Sequence, residues 1–435
     1  MAESVSPTSN AERIRVLDTI RGVAVLGILF MNIVGFGLPS AYEDPTIWGG
    51  HEGADLAVWR IAALLIEGTM RGLFTLLFGA GALLFLQRIA ERAGHGRATR
   101  LYYRRTFWLL AFGLVNAYVL LWEGDILVFY GIVGLILFFF RKLPASKLIA
   151  VAAIAVALQI SLALVEFGNY VTVRANAQTA QLAYDVGAPL TRSQFEALKE
   201  LQQEEASLKP YREELEEQVL GMRESYASAA QRIHERLSYV YTSYLPRHGF
   251  VDALSLMLLG MALLKLGVLT GAASNATYFR MMIIGYAVGL CLNAYEIAML
   301  EGDEFSAEVL IASYLTYDLG RIPLTLAHLA SIVLLCRAQW FTRAAEVLAA
   351  VGRMALTNYM AQSVIALFLF TGAGLAWYGE LQRHELYYVV AAICAAQLIW
   401  SPLWLRYFQF GPLEWLWRSL TYWRVQTMRR DEVMR

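Results

Sequence analysis

Apolar residues in this chain gather into runs of roughly 17–25 positions, long enough for a helix to cross a hydrocarbon layer about 30 Å thick. Ten runs are read, at roughly 16–38, 56–87, 106–122, 126–140, 148–168, 248–268, 279–299, 309–335, 355–376 and 386–405. The second is too long for one straight crossing and holds Glu67, Arg71 and Gly72 in its middle. It predicts an outer-surface helix up to about Glu67, followed by a span from Gly72 to Gln87. Between the fifth and sixth runs the pattern lapses. Pro189 and Pro210 punctuate two charged helical stretches there, and Glu213, Glu214, Glu216 and Glu217 turn the second toward solvent. The expected fold is therefore all-α and polytopic. Its parts are a five-span bundle (1–168), an extracytoplasmic helical loop (169–247), a second five-span bundle (248–410) and an interfacial tail (411–435).

Charge in the connecting loops sets the direction. Arg13 and Arg15 precede the first run, six arginines face the lone Glu91 between Arg88 and Arg105, and Arg141, Lys142 and Lys147 follow the fourth run. Arg337, Arg343 and Arg353 precede the ninth, and Arg418, Arg424, Arg429 and Arg430 close the chain. The alternate loops carry Glu43, Asp44, Glu52 and Asp55, then Glu123 and Asp125, then Glu301, Asp303, Glu304 and Glu308. Basic loops stay in the cytoplasm, so both termini are expected there and the number of spans is even. The first run exceeds the apolar core of a cleaved leader and reads as an uncleaved anchor.

Composition narrows the class further. Of 435 residues 58% are hydrophobic and 17% charged, and the mean hydropathy is +0.47, which is the balance of a membrane protein. Lys plus Arg and Asp plus Glu both number 36, so no nucleic-acid partner is expected. Cys291, Cys336 and Cys394 lie far apart inside apolar runs, with no disulfide framework or metal knuckle in their spacing. No GxSxG, Walker loop or HExxH is present, and no metal is expected.

Polar side chains within the spans are then the candidates for chemistry, because a charge there costs several kcal/mol unless it is paired or hydrated. Asp18 and Arg21 share a helix face at the cytoplasmic mouth of the first span, followed by Gly22. They are either an anchoring ion pair or the edge of a site for a phosphate-bearing ligand, which the guanidinium fork fits. Asn32 sits about 16 Å further along the same helix, as interhelical glue or as a substrate contact. Glu67 and Arg71 are one turn apart ahead of Gly79 and Gly81, glycines that admit a close helix or a ligand. Asn116 lies in the third span, and Glu123 and Asp125 follow it in a turn that reads as solvated. Asp318, Arg321 and His328 share one face of the eighth span, where His328 is either a satisfied core residue or a proton acceptor. Arg353 and Asn358 open the ninth span. Trp404, Trp415, Trp417 and Trp423 read as an interfacial belt.

Taken in order, these segments resemble the YeiB family of bacterial inner-membrane proteins over nearly the whole chain. The resemblance is carried by Leu17-Asp18-Thr19-Ile20-Arg21-Gly22 with Asn32, by Phe36-Gly37-Leu38-Pro39, by Leu76-Leu77-Phe78-Gly79-Ala80-Gly81 and by Gly124-Asp125-Ile126-Leu127. It is most specific at Gly352-Arg353-Met354-Ala355-Leu356-Thr357-Asn358-Tyr359 and Gly411-Pro412-Leu413-Glu414-Trp415-Leu416-Trp417-Arg418. That family resembles the wider transmembrane acyltransferases, including the heparan-glucosaminide acetyltransferase, through the Asp-x-x-Arg-Gly start and the Asn of the same span. The resemblance implies acyl-CoA entering from the cytoplasm as co-substrate and an acceptor on the far side. A histidine after the first span serves there as base, where this chain has His51. YeiB-like chains also show a histidine in the third span, where this chain has Asn116. An amide does not take a proton as imidazole does, which makes His328 the expected base. A rim of Arg21, Arg104, Arg105 and Arg353 is expected to hold the coenzyme phosphates, with Asp18, Gly22 and Asn358 beside them in the coenzyme site and Asn32, Arg71, Asn116, Asp318 and His328 deeper in as the catalytic groups.

Three functions are carried forward: acyl transfer to an extracytoplasmic or lipid-linked acceptor, proton-coupled transport or flipping of a small amphipathic or anionic solute, and a non-catalytic role for the outer loop. Expected partners are membrane lipids, acyl-CoA or a small-molecule substrate, and a second copy of the chain as a homodimer.

Overall fold

An apolar segment in hydrocarbon has to satisfy its own amides, and the α-helix does so within one segment. The computed structural model of the chain describes residues 15–430, so Arg13 lies outside the described residues. Among those described there is no strand, only an isolated bridge between Phe408 and Arg429. The helices are α1 (Arg15–Gly37), α2 (Gly53–Leu65), α3 (Thr69–Ala93), α4 (His95–Tyr118), α5 (Ile126–Leu137), α6 (Ala145–Asp185), α7 (Arg192–Leu208) and α8 (Arg212–Glu224). They continue with α9 (Tyr226–Tyr239), α10 (Phe250–Lys265), α11 (Asn275–Gly302), α12 (Ala307–Arg337), α13 (Thr342–Arg353), α14 (Ala355–Phe370), α15 (Arg383–Tyr407) and α16 (Pro412–Tyr422). Among the described residues seven helical segments are long and apolar enough to cross a membrane, and Ile126–Phe140 and Ala355–Phe370 are shorter apolar helices. The expected run at 106–122 is the apolar half of α4, whose first turns carry Arg97, Arg100, Arg104 and Arg105.

The long second run breaks where its charges sit. Gly68 takes a positive φ of 65° between α2 and α3, and a Cβ there would come within 2.3 Å of the Arg321 side chain. Only glycine meets both demands at low cost. The segment between the fifth and sixth apolar runs departs from the expected loop, because α6 does not end near residue 168. At 41 residues it is about 60 Å long, twice the hydrocarbon thickness, and α7 folds back against its far half. Pro189 and Pro210 fall in the turns flanking α7. In α8 the four glutamates are exposed while Leu215, Val219 and Met222 are buried. The chain returns through α9 and α10 as one rod, joined by a π-helix over Val240–Gly249 that contains Pro246. Proline removes a backbone donor and crowds the preceding turn, and the wider π geometry absorbs both.

Helix α1 sits centrally, against α3, α12, α13, α14 and α15. The α3–α10 crossing is closer still. A Cβ on Gly79 would lie 2.1 Å from the Met257 carbonyl oxygen, and one on Gly260 would lie 2.0 Å from that of Leu76. Gly81, two residues on, has open space beside it and lines a cavity. The two glycines therefore divide the roles expected of them, Gly79 admitting a helix and Gly81 bordering a void. Gly79→Val is expected to destabilise the purified protein by about 1–3 kcal/mol through overpacking, whereas Gly81→Ala is tolerated. Thermal unfolding of the two variants side by side checks this.

Candidate functional site

Two cavities occupy opposite ends of the bundle. The one where α1 begins and α3 ends, under α14 and α16, is named the inner cavity for the expected orientation and holds about 250 Å³. Five arginines line it, Arg21, Arg88, Arg105, Arg353 and Arg418, against two carboxylates, Asp18 and Glu414. That excess favours an anion. Arg21 Nη1 donates to Asp18 Oδ1 at 2.8 Å, which holds the guanidinium at the mouth of α1. The Arg105 guanidinium lies 3.6 Å from the Trp417 ring centre, a cation–π contact that fixes α16 over the cavity. Arg353 Nη2 donates to the Gln409 carbonyl at 3.4 Å. Glu414 caps α14, accepting from the Leu356 and Thr357 amides at 2.7 and 3.1 Å. Burial pushes its carboxyl up.

Three residues expected at this rim stand outside the cavity. Arg104 points the other way, donating to the Thr421 carbonyl at 3.1 Å and lying over Trp423, because successive residues on a helix face different directions. Gly22 serves packing: a Cβ there would be 2.0 Å from the Leu348 carbonyl oxygen of α13. Asn358 is fully buried and spent on structure, with Nδ2 bonded to Val351 and Ser401 and Oδ1 accepting from Trp400.

The outer cavity is larger, about 630 Å³. The outer half of α1, the α2–α3 break, the α4–α5 turn, the π-helix, α11 and α12 wall it. Asn32 and Arg71 line it. Its five carboxylates are Glu43, Glu67, Glu123, Asp125 and Glu296. Its three arginines are each matched: Arg236 to Glu123 at 2.5 Å, Arg71 to Asp252, and Arg321 to Asp252 at 2.5 Å and to Asp318. Asp318, Arg321, Asp252 and Arg71 thus form one neutral chain of charge through α12, α10 and α3. The Tyr314 hydroxyl donates to Glu43.

His328 lines neither of these cavities. Its Nε2 donates to the Leu65 carbonyl at 2.8 Å and its Nδ1 is hydrogen-bonded to the Tyr286 hydroxyl at 3.0 Å, so both ring nitrogens are engaged. Arg321 and His328 share a helix face but lie about 10 Å apart along it, and each meets a different neighbour. His51 lines neither cavity either.

The cavities approach each other at α5. Tyr130 lines both. Its hydroxyl bonds Thr75 Oγ1, and its ring packs on Phe74 and Phe78 with centroids 6.1 and 5.1 Å away. One turn earlier Asp125 caps α5 through the Val128 amide at 2.8 Å. It also accepts from Asn116 Nδ2 at 2.8 Å and from the Tyr359 hydroxyl at 3.4 Å. Asp125 lines the outer cavity and Tyr359 the inner one. Asn116 reaches neither and holds Asp125 instead.

Sequence reasoning missed Asp252, Asp125, Tyr130 and Tyr359 as site residues. Asp252 had a signal, being a carboxylate inside an apolar run. Asp125 is 1% exposed, not solvated, because the α4–α5 turn folds inward. The tyrosines look like any other aromatic of a span.

Residues 263–424 match the family described as a protein of unknown function, DUF418. The chain is 31% identical over 439 residues to the uncharacterized protein YxaH of Bacillus subtilis, covering 96% of each chain. It is 30% identical over 450 residues to the uncharacterized protein YeiB of Escherichia coli, covering 94% of this chain and 96% of that one. A third relative, an uncharacterized 39.9 kDa protein of Bacillus acidopullulyticus, is 26% identical over 418 residues, with 96% of each chain covered. No solved structure matches the chain.

Proposed function

Because the chain belongs to the YeiB family of multi-pass membrane proteins, we propose that it is an acyl-CoA-dependent acyltransferase of the bacterial inner membrane. In this reading it has ten spans and cytoplasmic termini, and it passes an acyl group from acyl-CoA to an extracytoplasmic or lipid-linked acceptor. One observation carries the reading: an arginine-rich cavity and a carboxylate-rich cavity, at opposite ends of the bundle, share Tyr130 as a common wall.

The coenzyme phosphates would bind Arg21, Arg105 and Arg353, whose planar forks pair with phosphate oxygens bidentately. The thioester arm would run along the apolar wall of Phe74, Phe78 and Leu127 toward Tyr130. An acceptor in the outer cavity attacks the thioester carbonyl carbon. The carbonyl electron pair moves to oxygen, and on collapse the C–S bond breaks and CoA leaves as thiolate. Arg71 and Asn32 are the outer-cavity donors available to the oxyanion, and fixed donors aimed at developing charge are worth several kcal/mol in a dry site. Asp318 steadies Arg71 indirectly, through Arg321 and Asp252.

A proton-coupled carrier of a small amphipathic or anionic solute is the second reading, favoured by two cavities kept apart by so little. The experiment that separates them is direct binding. Acyl transfer predicts saturable binding of acetyl-CoA to the purified protein in calorimetry. The carrier predicts no thioester binding, with proton flux into vesicles driven by a solute gradient.

A further inference from the structure

Of the five carboxylates in the outer cavity, Asp125 alone among the described residues is hydrogen-bonded to a side chain that lines the inner cavity, Tyr359. It stands one helical turn before Tyr130, the wall common to both. A capping role uses only Oδ2, which accepts from Val128. It does not account for Asn116 and Tyr359, which converge on Oδ1 from α4 and α14.

We propose that Asp125 is the general base of this site, taking the acceptor's proton at the junction of the two cavities, with Asn116 and Tyr359 as positioning residues. The proposal rests on the acyl-transfer reading and adds the group that reading lacks. In the step, the acceptor's O–H or N–H bond breaks toward Asp125 while the heteroatom's electron pair forms the bond to the thioester carbon. Collapse of the oxyanion breaks the C–S bond, and the thiolate recovers the proton from Asp125.

The surroundings suit both protonation states. Oδ1 takes the Asn116 and Tyr359 donors, and the backbone amides that open α5 serve the carboxylate as a helix cap. Asn116 Oδ1 is buried with no hydrogen-bond partner. Asn116 therefore donates to the carboxylate through Nδ2 and, with its amide turned over, accepts the acid's O–H through Oδ1. An imidazole at this position would compete for the proton, whereas an amide only orients the group that carries it. Burial pushes the Asp125 carboxyl up to about 7, against the hydrogen bonds from Asn116, Val128, Leu127 and Tyr359 that draw it down. Tyr359 and Tyr241 are its titratable neighbours on other elements.

The test uses the full-length protein in nanodiscs of bacterial polar lipid, which also supply the acceptor pool. Asp125→Asn keeps the shape and the helix cap but not the base. It is expected to bind acetyl-CoA within threefold of the parent and to release CoA thiol from it about 100-fold or more slowly, the usual scale for a lost base. An infrared carboxyl band titrating near neutral pH is expected in the parent, absent in Asp125→Asn and shifted in Tyr359→Phe. Thiol release by Asp125→Asn within tenfold of the parent overturns the proposal, as does the lack of any neutral-range carboxyl band that this substitution removes. Failure of the parent to bind acetyl-CoA sinks acyl transfer instead, and is told apart because the infrared titration still reports on Asp125.

Discussion

Replacing Asp252 with alanine is expected to lower the stability of the purified protein by about 3–5 kcal/mol, the usual cost of removing one partner from a buried charge pair. Asp252 is the middle of the neutral chain, accepting from Arg71 of α3 and Arg321 of α12. The Arg321, Asp252 and Asp318 side chains are only 2%, 6% and 7% exposed. Without Asp252 the nearly fully buried Arg321 keeps only Asp318, and Arg71 loses its carboxylate partner, so one positive charge in the network is left unmatched. Three helices loosen together, because each was held through this residue. The size-exclusion profile and the thermal midpoint in detergent check the prediction. Asp252→Asn, which keeps the acceptor oxygen but not the charge, is expected to fall between. Replacing all four charged residues with apolar ones of similar size is expected to recover most of the lost stability, since an intact buried ion pair adds little over well-packed hydrocarbon. That variant would still lack Arg71, and with it the oxyanion donor proposed for acyl transfer.

The largest expected effect on binding comes from Arg21→Ala combined with Arg353→Ala. A hydrogen bond to a charged group contributes roughly 1.5–3 kcal/mol, so losing two phosphate partners should weaken acetyl-CoA binding by about 100-fold or more. Arg104→Ala is the sharp control. It removes the same charge from the residue next to Arg105, but from outside the cavity, and should leave affinity within threefold. Binding to the parent should also fall as salt rises, since added ions screen the arginine excess. Calorimetry of the three proteins at two ionic strengths measures all of this. Equal loss in Arg104→Ala would mean that bulk charge, not the lined cavity, holds the ligand.

How far the site was legible depended on how many segments each feature needs. The break at Gly68 could be read locally, since a long apolar run interrupted by Glu67 and Arg71 has nowhere else to bend. The pairing of Asp18 with Arg21 was legible for the same reason, as the two lie three apart on one helix. The stripe of Asp318, Arg321 and His328 was half legible. Its spacing puts the three on one face, but a face seven residues long passes several neighbours, and His328 ends against Tyr286 and the α2 backbone rather than in the outer cavity. Arg104 and Arg105 show the limit on a smaller scale, being adjacent in sequence and divided by a helical step of about 100°.

By itself the sequence determined the membrane character, the helical class, the family, and which end of the bundle collects arginine, because each of these follows from composition or from the order of residues within one segment. The tertiary structure alone decided which polar groups meet. Arg71 and Asp252 are 181 residues apart, and Asp125 and Tyr359 are 234 apart. No periodicity spans such distances. Their contact is set by how close α3 can lie to α10, and α4 and α5 to α14, and those distances are fixed by the shapes of the side chains packed between them.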